Sequence, residues 1–381
     1  MSQQTYAGLT WDHPRGYVAL EKAAQQARAG GLHLHWERQP LEGFESHPIE
    51  DLARRYDLIV LDHPHMGDAV AGDCLQPLEA LFDAATLQAW KAQSIGNTFE
   101  SYHYAGKHWA LPLDAASQVA AFRADRLNEP PPATWSGTLD FARRHPVALS
   151  LAGPHAILSL FSISTAFGDA PAASGADRLF HGEGFAAAWN LIQELHALSF
   201  KGWAQLNPIG ILQALSGEPQ AVYCPLVYGY VNYAVAGQGR QAVQFGNVPS
   251  GPSGRLGSVL GGTGLAVSRR AQISDTLRAH LVHLLSAPAQ REFIPFADGQ
   301  PSARSAWSDS RVNTALGGFF RDTEATLEQA IVRPRHPGYV PFQTAASELV
   351  RKGLSEALPA QQVAGALQSL YERHRPAGSE I

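Results

Sequence analysis

Two spacings of apolar residues alternate along the chain. Val18–Ala29 (VALEKAAQQARA) carries them at helical spacing, after a short strand at Ala7–Thr10 and a polar loop, Trp11-Asp12-His13-Pro14-Arg15-Gly16-Tyr17. Leu32–Trp36 alternates as a second strand, and Asp57–Leu61 supplies a continuous apolar run of the kind buried on both faces of a parallel sheet. Strands that alternate with helices in this way predict an α/β fold.

The pattern restarts further on. Tyr102–Gly106 reads as a turn into a strand that breaks at Pro112, and Gln118–Arg123 reads as the next strand. After Pro130-Pro131-Pro132, Thr134 and Trp135 open a helix and Val147–Leu151 forms a short strand. Helices are predicted over Phe185–Ser199 and Ile209–Ser216, then a strand at Ala221–Leu226 and a glycine-broken strand pair over Gly257–Val267. Helices at Ser274–Leu285, Ala287–Phe293, Asp322–Ala330 and Ala345–Glu372 complete the chain.

At 381 residues the chain suits two lobes rather than one core. Its 45% hydrophobic and 17% charged residues belong to a soluble globular protein. The net charge of −5 and the dispersed lysines and arginines leave no basic stripe, so nucleic acid is excluded as a partner. The longest apolar runs fall short of the roughly 20 residues of a membrane span, which excludes membrane insertion. The start, Met1–Tyr6, has no basic stretch leading into an apolar one, so no secretory signal is expected in this numbering. Two cysteines, Cys74 and Cys224, do not make a disulfide framework.

Candidate chemistry collects where predicted strands end. Asp12, His13, Arg15 and Tyr17 follow the first strand just before a helix amino end, whose free N–H groups and the bidentate donor of Arg15 favour an anionic or polyhydroxyl ligand. The structural alternative is that Asp12 caps the helix, Pro14 sets its first turn and Trp11 packs in the core. Asp62, His63 and His65 emerge after the most apolar strand, with both rings on one side of an extended segment. Histidines lining such a site would hold an anion more tightly as the pH falls toward about 6. His155 precedes an apolar helix, and Tyr228 and Tyr230 flank Gly229 as stacking surfaces for a sugar or aromatic ring. Gly261-Gly262-Thr263-Gly264 lacks the following Lys-Ser or Lys-Thr of a phosphate loop.

Six runs stand in an order that resembles one family, the family 1 extracellular solute-binding proteins of ABC importers, of the maltose-binding type. They are YDLIVLDHPHMGDAVAGDCLQPLEAL, YAGKHWALPLDAASQVAAFRADRL, Pro132-Ala133-Thr134-Trp135, AVYCPLVYGYVNYA, GGTGLAVSRRAQ and HLLSAPAQREFIPFADGQPSARSA, spread between about Leu9 and Tyr371. The resemblance implies a type II periplasmic-binding-protein fold, with two lobes, a hinge and a ligand cleft between them. It implies lobes of 1–113 plus 259–304 and of 114–258 plus 305–381, both discontinuous.

As a non-catalytic binding protein of that kind, the chain is expected to take a small polar solute, a carbohydrate or an organic carboxylate, and pass it to an ABC permease. The expected ligand-binding set is Trp11, Asp12, His13, Arg15, Tyr17, His63, His65, Asp114, Ser117, His155, Tyr228, Tyr230, Gly262, Thr263 and Arg304, with no metal and no cofactor. Asp114 and Ser117 fall at the first crossing and Arg304 near the cleft rim. A monomer in the periplasm is expected; without a leader sequence, a cytoplasmic metabolite-binding protein is the variant reading. The alternative from another class is a metal-dependent hydrolase using His63, His65 and Asp12.

Overall fold

A computed structural model describes residues 5–172, 177–237 and 239–375. Among the described residues there are nine strands: β1 Thr5–Trp11, β2 His33–Gln39, β3 Leu58–Leu61, β4 His103–Tyr104, β5 Lys107–His108, β6 Leu111–Phe122, β7 Tyr223–Tyr228, β8 Gln244–Gly246 and β9 Leu260–Val267. The main sheet runs β2-β1-β3-β9-β6-β7, with β8 also paired to β6, and β4 with β5 forms a separate ribbon. β1 pairs in parallel with β2 and β3, while β9 runs antiparallel to both β3 and β6. The apolar run of β3 is buried along its whole length, as a central strand covered on both faces requires.

One long strand joins the two bodies of the molecule. The first part of β6, Leu111–Ser117, pairs with β9, and its second part pairs with β7 and β8. Pro112 therefore does not end a strand, contrary to the sequence expectation. A shift of register lies between Pro112 and Asp114, and a bulge is where a residue without an N–H is tolerated inside a sheet.

Three other expectations are corrected. Val147–Leu151 is not a strand, but makes one bridge, Val147 to Tyr223, with the Ala148 N–H donating to the Tyr223 carbonyl at 2.8 Å. The segment Gly257–Val267 is one strand from Leu260 onward rather than a pair, because Gly262 stays in the ladder opposite Ala115 despite a φ of 93°. The long carboxyl-terminal helix is two, Tyr339–Ser355 and Ala360–His374, with Pro359 at the start of the second.

Helices cover both faces of the sheet. Pro14–Ala27 lays Ala19, Leu20, Ala23 and Ala24 on the β1–β2 side. On the other body, the wholly buried helix His155–Ala166 is enclosed by Glu183–Leu198 and Tyr339–Ser355, around Trp135, Phe161, Trp189 and Tyr371. Among the described residues no helix is long and apolar enough to cross a membrane.

Candidate ligand cleft

The carboxyl ends of β1, β2 and β3 converge on a gap that the second body faces, which is where open α/β sheets bind ligands. From β1 and the helix after it come Trp11 and Arg15; from the helix Leu41–Ser46, which follows β2, come Leu41, Phe44 and Glu45; from the end of β3 comes Asp62. The floor is Ala116 of β6 with Gly261, Gly262 and Thr263 of β9. The far wall is His155 and Pro208, each at a helix amino end, with Tyr228 and Tyr230 at the end of β7. The gap holds about 460 Å³ of atom-free space, its open mouth included.

Buried charge organises this gap. Arg15 donates from Nε to Asp114 Oδ2 at 2.8 Å and from Nη2 to Asp114 Oδ1, and its Nη1 donates to the Gly229 carbonyl at 3.1 Å. Burial works against the guanidinium's charge, but Asp114 outweighs it and holds the Arg15 pKa above its ordinary value. The guanidinium also lies 4.8 Å from the Tyr230 ring centroid, so one face of that tyrosine is already covered. On the other side Arg333 donates from Nη2 to Asp62, whose Oδ1 accepts from the His63 N–H at 2.8 Å. Burial would raise the Asp62 pKa, yet Arg333 and His63 overcome it and keep the carboxyl below its usual range.

Of the residues expected at the site, Trp11, Arg15, His155, Tyr228, Tyr230, Gly262 and Thr263 meet in this gap, and Asp114 sits behind Arg15. The others lie elsewhere. Asp12 is exposed and 3.6 Å from Arg38, and Tyr17 has the Arg38 guanidinium 3.3 Å over its ring. His13, not Asp12, caps the helix: its Nδ1 accepts from the Arg15 N–H at 3.1 Å and its ring stacks on Trp11. Ser117 is buried outside the gap, and Arg304 pairs with Glu328. His65 lines a separate groove beside Val340 and Pro341.

His63 is fully buried, its Nε2 accepting from the Arg333 N–H at 3.3 Å. Burial and the charge of Arg333 push its pKa down to about 4, and burial with Arg15 pushes His13 to about 3. His65 is also lowered, chiefly by burial. The His13 and His63 rings therefore stay neutral near pH 6 and do not recruit an anion there. Nor do Asp12, His63 and His65 converge: among the described residues no three His, Cys, Asp or Glu side chains come together as a metal site would need.

Sequence reasoning missed Phe44, Glu45, Pro208 and Arg333. The first two had a usable signal, since the segment after β2 meets the same gap as those after β1 and β3. Arg333 had none, because it returns from a remote part of the chain to pair with Asp62.

No family model matches the sequence, and no curated protein matches it. Solved structures do. Maltose-bound MalE3 of T. maritima is similar with a TM-score of 0.80 at 16% identity, over 97% of this chain and 99% of that one. An ABC-transporter solute-binding protein of Agrobacterium radiobacter K84, in complex with ribitol, gives 0.79 at 18% identity over 97% and 98%. UgpB of Mycobacterium tuberculosis, with glycerophosphocholine, gives 0.72 at 14% identity over 97% and 99%. Near-complete coverage on both sides, set against such low identity, shows the chain to have the two-lobed α/β fold of maltose-binding-protein-like ABC-transporter solute-binding proteins.

Proposed function

We propose that the chain binds a small polar solute in the cleft between its lobes and closes on it by hinge bending, for delivery to an ABC permease. The observation that carries this reading is the gap itself, lined by polar and aromatic side chains from both bodies, Arg15 and Glu45 on one side and His155 and Tyr228 on the other. The lobes proposed are 1–113 plus 259–304 and 114–258 plus 305–381; the change of partners along β6 supports a hinge there. Solute-binding relatives in fold that hold maltose and ribitol support a carbohydrate or polyol as ligand, and binding rather than catalysis as the role. The organic carboxylate is the weaker choice, since the one bidentate donor in the gap is engaged by Asp114.

A permease partner, a monomeric state and a periplasmic location belong to the same proposal. Calorimetry over a panel of sugars and polyols, paired with small-angle scattering, tests it. Saturable heat and a smaller radius of gyration with one panel member are expected. Silence across the panel with an unchanged scattering profile would refute it.

A further inference from the structure

The charges around the cleft do not balance. Both arginines are neutralised by carboxylates, Arg15 by Asp114 and Arg333 by Asp62. Glu45 is left over. Among the described residues no arginine or lysine lies within ion-pair distance of it, and its neighbour is His155, with Oε1 and Nε2 3.5 Å apart. His155 is only 3% exposed, yet neither of its ring nitrogens has a hydrogen-bond partner. A buried polar ring with nothing to bond is costly unless something else fills the place.

The chemistry of that place favours donors. A carboxylate offers acceptors only, and an imidazole has at most one bare nitrogen, so Glu45 and His155 together call for donors from whatever fills the place. An ammonium supplies three donors and the missing positive charge. The Phe44 and Tyr228 rings line the same gap, Tyr228 in a T-shaped contact with His155 at 5.8 Å between centroids, and aromatic faces attract cations. An anion meets the opposite: Glu45 repels it, and taking Arg15 would strand Asp114 as an unpaired buried charge.

Building on the proposed solute-binding role, we propose that the ligand is a polyol-sized molecule bearing a protonated amine, whose ammonium sits against Glu45 and His155. Three probes of equal carbon-chain length test the assignment by calorimetry at neutral pH on the full chain, stripped of solute by unfolding and refolding. They are glucamine, sorbitol and gluconate, which differ in charge at one terminus. Glucamine is expected to bind at least about tenfold tighter than sorbitol, with gluconate weakest. E45Q brings the glucamine-to-sorbitol ratio near one, and E45K reverses the order in favour of gluconate; matched melting curves show both variants folded.

Sorbitol or another neutral sugar binding as tightly as glucamine, or a ratio that E45Q does not move, overturns the ammonium assignment and leaves the solute-binding role standing. No heat from these three or from the wider sugar panel removes both.

Discussion

At the scale of single residues, the contact between Arg15 and Asp114 decides most. Both side chains are almost wholly buried, and a buried charge is tolerable only with its partner in place. Replacing either residue alone by leucine is expected to cost about 3–5 kcal/mol, because the survivor is left charged in an apolar setting. The double variant R15L/D114L should cost far less than the two single losses added together. Urea unfolding of the four proteins measures this, and additive losses would show that the pair is not coupled. The same contact explains why an arginine that reads as a ligand donor offers its bidentate edge to the protein instead.

At the scale of elements, β6 and β9 set the floor of the cleft, and Gly262 sets how they meet. Its φ of 93° lies where other residues are strained, and a Cβ there would come 2.4 Å from the Asp114 carbonyl oxygen. G262A is therefore expected to lose about 1–3 kcal/mol and to disturb the register next to Asp114, lowering the chemical-denaturation midpoint. A midpoint equal to that of the parent protein would mean that the strand relaxes without cost. This junction also marks how far local pattern reading reaches. The apolar run of β3 and the helix capped by Thr134 are written in neighbouring residues, so they are legible. The bulge that carries Pro112 through β6 depends on a partner strand some 150 positions away by the register of Pro112 with Gly264, and no local pattern holds it. The short helix Leu41–Ser46 contributes Glu45, but with a single buried residue, Phe44, it has too little periodicity to announce itself.

At the scale of the whole molecule, the convergence of loops was legible because strands that end in polar turns feed a common edge in an α/β sheet. Which of those turns would be consumed internally was not legible, since burial is a property of the assembled lobes. That burial has a consequence for the protein as a whole. His13, His63 and His280, on separate elements, are held by burial at pKa values of about 3, 4 and 4, against 6.5 for an ordinary histidine. Between pH 6.5 and about 4 the unfolded chain takes up protons on these rings while the folded chain does not. Stability is thus fully present above pH 6.5 and falls as the pH drops, each ring adding a slope of up to about 1.4 kcal/mol per pH unit. Asp62 extends the loss to lower pH, because its carboxyl stays ionised in the fold after the unfolded chain has protonated. Denaturant midpoints taken from neutral pH downward should decline steadily. H280L, remote from the cleft and with an unpartnered Nε2 in the parent, should make that decline shallower, while a pH-independent midpoint would mean that water reaches these rings in the folded state.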